Sequence, residues 1–118
     1  MVQRNKPLQP AKRRSVRRCT LVASAEVTEP RSGTLLSART SELGIGGCYV
    51  DSLNPFPEGT LVGLRILRDQ GVFETKAKVV YCDPRFGMGL AFREMTPDQR
   101  SLLEAWLAEI ISQLKPVS

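Results

Sequence analysis

The chain reads as a mainly-β domain, six short antiparallel strands in a barrel or sandwich, followed by one amphipathic helix. Three observations predict this. Apolar and polar residues alternate with period two in short runs between Thr20 and Phe92. Clusters of Gly, Pro, Asn, Asp and Ser separate the runs at brief intervals, as antiparallel connections require. After Thr96 the apolar period changes to three and four, which suits a helix and not a strand.

Each element follows in turn. Leu21, Ala23, Ala25 and Val27 alternate with Thr20, Ser24 and Glu26 as a half-buried first strand. Pro30-Arg31-Ser32-Gly33 is a turn, and Thr34 to about Leu43 is a second strand with weaker alternation. Gly44-Ile45-Gly46-Gly47 interrupts it, and Cys48-Tyr49-Val50 starts the third. Asn54 to Gly59 is a loop, because Pro55 and Pro57 forbid continued pairing. Val62, Leu64 and Ile66 form the fourth strand, and Asp69-Gln70-Gly71 is a hairpin connection. In the fifth, Phe73, Thr75, Ala77, Val79 and Tyr81 are expected on one side, with Glu74, Lys76 and Lys78 in water. Asp83-Pro84-Arg85 turns the chain into a last strand built on Met88, Leu90 and Phe92. Thr96 then suits an N-cap, Pro97 the first helical position and Gln99 the closure of a capping box. Leu103, Trp106, Leu107, Ile110, Ile111 and Leu114 make one apolar stripe on a helix over about 96–114. Its expected task is to cover an end or face of the sheet structure, with Trp106 in the packing.

Composition narrows the chemistry. The chain has 118 residues, 42% hydrophobic and 25% charged, enough for one folded domain with a tail. There is no histidine, which removes the commonest general base and zinc ligand. Cys19, Cys48 and Cys82 show no CxxC spacing and have no adjacent base, so they are expected as small strand residues. No cofactor, no metal site and no catalytic residue is expected, and an enzyme is the weakest reading. No apolar run approaches the roughly 20 residues of a membrane helix. Met1 to Pro10 lacks a secretory h-region, so a reducing cytoplasm is the expected compartment.

Charge is distributed unevenly. Residues 1–18 hold seven cations and no acid, whereas the rest holds ten cations against twelve acids. A basic arm, 1–18, thus precedes a near-neutral domain, 19–118. With Pro7, Pro10 and several polar amides it has little to bury, and its first dozen residues are expected to be flexible. Such an arm attracts polyanions. Four of the five cations within Lys12–Arg18 are arginines, whose planar fork pairs with phosphate and with guanine O6/N7.

Three segments stand in a telling order: Arg13-Arg14-Ser15-Val16-Arg17-Arg18 before the first strand, Ser41–Val50 between the second and third, and Phe86-Gly87-Met88-Gly89-Leu90-Ala91-Phe92 before the capped helix. In this order they resemble the PilZ domain family, which binds the bacterial second messenger cyclic di-GMP. The resemblance covers about Lys12 to Leu114. It implies a six-stranded antiparallel β-barrel with a C-terminal helix, and two ligand motifs. RxxxR is met by Arg14 and Arg18, with Arg13 completing the double-arginine form; Arg13 with Arg17 is an alternative register. The second, [DN]xSxxG, is met imperfectly: with Gly47 at the family glycine, Glu42 stands at the Asp/Asn position and Gly44 at the Ser position. Glu42 keeps a carboxylate able to accept from guanine N–H groups. Gly44 loses a hydroxyl, worth about 0.5–1.5 kcal/mol, or roughly 2- to 13-fold in affinity. Gly46 and Gly47 let backbone approach a ligand, although a bulge or turn alone explains both.

The resemblance implies a single-domain sensor. Its basic arm orders over the barrel when cyclic di-GMP binds, and it signals through a protein effector that these residues do not identify. A second reading is a degenerate member that joins proteins without binding nucleotide. A third, nucleic-acid binding by the arm, is disfavoured because no aromatics are interleaved for base stacking.

Overall fold

The structure, a computed structural model, describes residues 18–114, with side chains from 19 to 113. Arg13, Arg14 and the remainder of the arm expected at 1–17 lie outside the described residues. Six strands, β1 (Arg18–Glu29), β2 (Thr34–Gly44), β3 (Gly47–Asp51), β4 (Leu61–Arg68), β5 (Gly71–Asp83) and β6 (Gly87–Arg93), precede one helix, α1 (Pro97–Leu114). The strands close in the order β1-β2-β3-β6-β5-β4, with β4 back on β1, and every neighbour is antiparallel. Of the two arrangements open from periodicity, the barrel is the one formed. The prolines of the 52–60 segment take the chain away from β3's partners, so β4 joins β1 instead.

Closure is driven by the inward side chains. Val27, Leu43, Val50, Ile66, Phe73, Val79, Met88 and Leu90 are fully buried in one cluster with Leu103, Trp106, Leu107 and Ile110 of α1. Each large side chain contributes about 1.5–3 kcal/mol by leaving water. Cys19 and Cys48 are buried and Cys82 is half-buried, all on strands, as small core-side residues. Turn chemistry fixes the connections. The Glu29 carboxylate accepts from Ser32 Oγ at 2.6 Å and from the Arg31 and Ser32 amides at 2.8 and 3.0 Å. The Ser32 hydroxyl, then the Arg31 amide, hold Glu29 below the usual carboxylate range. Gly33 has a left-handed φ of 77°, a conformation glycine adopts without steric cost.

The helix returns to the β4–β5 turn and packs on β5 and β1. The Trp106 ring packs against Phe73, centroids 6.3 Å apart, and the Arg68 guanidinium sits 5.8 Å above it. Gly71 leaves room for that indole: a Cβ there would meet Trp106 Cζ2 at 3.1 Å. Thr96 is the N-cap, accepting from the Gln99 amide at 3.3 Å. The expected reciprocal half of the capping box is not made by Gln99. Its Oε1 accepts instead from the Glu74 amide of β5 at 2.7 Å, which ties helix to barrel.

A second expectation also fails. Tyr81 does not share a face with Phe73, Ala77 and Val79. The β5–β6 register slips between Val79 and Tyr81, so Val80 is an extra step without a partner opposite. Beyond it the phase is reversed: Tyr81 pairs with Gly89 on the outside, and Cys82 with Met88 on the core side.

Candidate functional site

The weak alternation of β2 has the same cause. The β2–β3 register passes from Thr40↔Val50 to Glu42↔Tyr49, leaving Ser41 as an extra residue. Thr40 and Leu43 are buried while Glu42 is exposed, so the bulge re-aims Glu42 to the outer surface. Facing it, β1 carries an extra step between Thr20 and Ala23. Thr40 fills this irregularity from the inside; its hydroxyl donates to the Leu21 carbonyl at 3.1 Å. That bond explains the one buried polar residue among the described side chains.

These three bulges flank one cross-strand row on the outside of the barrel. Thr20 pairs with Glu42, Glu42 with Tyr49, Tyr49 with Gly89, and Gly89 with Tyr81. The row crosses β1, β2, β3, β6 and β5. Tyr49 and Tyr81 flank its glycine with ring centroids 6.1 Å apart and planes inclined at 31°. Glycines on β6 make room for them. A Cβ on Gly89 would run into the Tyr81 ring, and one on Gly87 would stand 2.6 Å from Tyr49 Cε2. The Phe86–Phe92 segment therefore serves as a backbone bed for two aromatic rings. Tyr49 also donates from its hydroxyl to Asp83 Oδ2 at 2.8 Å. Burial, with the Asp83 carboxylate second, pushes its phenol well above the ordinary value of 10.0.

The motif residues fall at one end of this row. Arg18 opens β1 directly opposite Gly44, one pair beyond Cys19↔Leu43. Gly44 to Gly47 form the turn into β3, and the Phe92 amide donates to the Gly46 carbonyl at 2.9 Å. The two glycines serve different needs. A Cβ on Gly47 would collide with the Leu90 carbonyl of β6, so close strand packing alone demands glycine there. Gly46 is exposed, with nothing within 4 Å of where a Cβ would stand. Arg13 and Arg14 cannot be placed relative to these residues, since they lie outside the described chain.

Tyr49 and Tyr81 are the residues that sequence reasoning missed here. Tyr49 lies within Ser41–Val50 with no role implied by the motif, and a strict period of two hides the bulge that turns Tyr81 outwards. Their signal was Gly87 and Gly89, small residues on a strand that a neighbouring aromatic commonly covers. Together the row offers a carboxylate acceptor, a hydroxyl and a broad aromatic surface, a combination suited to a planar heterocycle with N–H donors. The barrel interior is filled by side chains, which leaves the outer face for a ligand. Among the described residues no group of three or more Cys, Asp and Glu is arranged to hold a metal, and no helix is long and apolar enough to cross a membrane.

Barrel, helix and outer polar–aromatic row define a small β-barrel module. A family model for the PilZ domain matches residues 11–109, and the chain belongs to that family. A search of curated proteins gave no significant match. Among solved structures it is similar to the inhibitor of motility MotI/DgrA of Bacillus subtilis, with 20% identity, 97% of this chain and 54% of that chain covered, and TM-score 0.68. It is also similar to the PilZ domain of YcgR from Escherichia coli, solved with cyclic di-GMP (16% identity, 86% and 93% covered, TM-score 0.70). A longer YcgR chain in complex with cyclic di-GMP matches at 17% identity, 86% and 47% covered, and TM-score 0.74. The chain spans about half the length of the MotI/DgrA and longer YcgR chains. At these identities the likeness is one of fold.

Proposed function

We propose that this protein is a cyclic di-GMP receptor that acts as an adaptor. Arg14 and Arg18, with Arg13 beside them, hold phosphates and guanine edges, and Glu42 accepts from guanine N–H groups. The basic arm closes over the outer row and so changes the surface offered to a protein partner. One observation carries the reading: Arg18 lies directly opposite Gly44, so the two motifs share one edge of the β1–β2 ladder. Two phosphates and two guanines suit bidentate, stacking arginines beside an exposed carboxylate. Family membership supports the choice of ligand, as do the YcgR structures solved with cyclic di-GMP.

The test is calorimetric titration of cyclic di-GMP into the full chain, with GMP and cyclic di-AMP as controls. Binding selective for cyclic di-GMP, lost in Arg14→Ala and Arg18→Ala without a change in melting temperature, is the expected result. Retained affinity in both variants would remove these residues from the site. One observation favours a second reading, a protein adaptor without nucleotide: Glu42 and Gly44 replace the family's Asp/Asn and Ser. Absence of heat, backed by absence of a thermal shift at saturating nucleotide, would select it.

A further inference from the structure

Beyond the outer row, a groove of about 520 Å³ opens where the end of β3 meets the β5–β6 turn. Arg39, Asp51, Ser52, Leu53, Arg85 and Phe86 line it. Two of these are large apolar side chains left in water: Leu53 is 76% exposed and Phe86 73%. Isolated exposed apolar residues are ordinary; two converging on one groove are not.

The turn that presents Phe86 is firmly built. The Phe86 amide donates to the Asp83 carbonyl at 2.9 Å, closing a four-residue turn with Pro84 second. Arg85 occupies the third position with φ 72°, where glycine or asparagine avoids the steric cost. Both ends are anchored, by Tyr49 on the Asp83 carboxylate and by the Ser52 amide on the Phe86 carbonyl at 3.0 Å. A strained position filled by arginine points to a task for that side chain.

Its charge has no internal use. Among the described residues Arg85 makes no ion pair or hydrogen bond through its guanidinium. Arg39 reaches Asp51 only at 3.9 Å, and that carboxylate already accepts from Ser41 Oγ at 3.1 Å. The groove thus combines an apolar pair with two exposed guanidiniums. The chain's own termini do not complement it: residues 1–18 carry seven cations and no acid, and 115–118 add a lysine. A second copy would bring the same two guanidiniums and only the Asp51 carboxylate, which Ser41 and Arg39 already engage.

We infer that this groove docks an acidic, amphipathic segment of a partner protein, its apolar residues on Leu53 and Phe86 and its carboxylates on Arg39 and Arg85. The inference rests on the adaptor reading and gives that adaptor its partner-facing surface. Tyr49 joins the groove to the candidate nucleotide row, since it pairs with Glu42 and bonds Asp83 at the base of the turn.

The probe is a short fluorescein-labelled amphipathic peptide of Glu, Leu and Phe, with a twin in which Lys replaces every Glu. Both are titrated into the full chain by fluorescence anisotropy, without nucleotide. The acidic peptide is expected to bind at least about tenfold more tightly than its twin, with like charges disfavouring the latter. Arg85→Gly relieves the turn and is expected to hold or raise the melting temperature while weakening the acidic peptide. Phe86→Ala should weaken both peptides. Equal affinity for the two peptides, or full affinity in Arg85→Gly, would overturn the inference. Sedimentation showing a dimer that Phe86→Ala dissociates would assign the groove to a second copy and overturn it equally. Cyclic di-GMP titration of the same samples separates the two claims. Peptide selectivity without nucleotide binding removes the receptor reading alone; nucleotide binding without peptide selectivity removes the groove alone.

Discussion

Arg18 and Gly44 stand opposite each other as the first pair of the β1–β2 ladder. The pair joins the last residue of an arginine-rich arm to the position where the family pattern has serine. The β1–β2 hairpin therefore brings together two residues separated by more than twenty in sequence, with only the 30–33 turn between their strands.

Restoring the missing hydroxyl is the direct test of that edge. Gly44 is buried at the end of β2, and its φ is not left-handed, so the backbone itself admits a serine. Gly44→Ser is expected to tighten cyclic di-GMP binding about 2- to 13-fold. Calorimetry on the variant and the parent checks this, and unchanged affinity would place Gly44 outside the contact.

The two turn glycines should part company in denaturation. Gly47→Ala pushes a methyl into the Leu90 carbonyl and is expected to cost about 1–3 kcal/mol. Gly46→Ala meets open space and should stay within about 0.5 kcal/mol of the parent. Urea midpoints of the two variants, measured together, decide it; equal losses would contradict the packing account of Gly47.

Thr40→Val keeps the shape of the side chain and removes its hydrogen bond to the Leu21 carbonyl. The lost bond is part-buried and worth about 0.5–1.5 kcal/mol. The expected loss appears as a lowered melting temperature, whereas Thr40→Ser, which keeps the hydroxyl, should recover part of it.

Alkaline pH probes Tyr49. Its folded-state phenol titrates above the unfolded value of 10.0, because burial and the Asp83 carboxylate favour the neutral form. The associated stability is fully present below pH 10.0 and drains away as pH rises from there towards the folded value. Tyr49→Phe loses the bond to Asp83, about 0.5–1.5 kcal/mol at neutral pH. The gap between variant and parent should therefore close in urea melts taken in steps above pH 10.0. A gap that widened would reverse the assignment.

Much of this fold was legible in the residues. Ala25 and Val27 on β1 and Val62, Leu64 and Ile66 on β4 alternate cleanly and are buried as expected. Thr96 and Pro97 mark the helix start to the residue. What stayed hidden depends on residues opposite, which a single strand does not display. The period of two places Tyr81 inward because nothing local distinguishes Val80 as an unpaired step. Gln99 carries the right type for a capping box, yet the Glu74 amide of a packed strand is its partner. At the candidate site, the local segment Glu42–Gly47 was visible by pattern, while its aromatic continuation through Tyr49 and Tyr81 became visible only with the ladder.

Ser41 and Val80 also bear on how such a surface is gained or lost. Each shifts the parity of its strand's numbering by one, while the ladder keeps Glu42 and Tyr81 outside. Dropping Ser41 would set Glu42 next to the buried Thr40 in plain alternation, so Glu42 would still face outwards opposite Tyr49 and Leu43 inwards opposite Cys48. The outer face is thus robust both to exchange of letters at these two positions and to loss of either extra residue, which leaves Glu42 and Tyr81 outside. Point substitutions of the outward residues themselves, more than loss of an extra residue, are the events that would erase or create it.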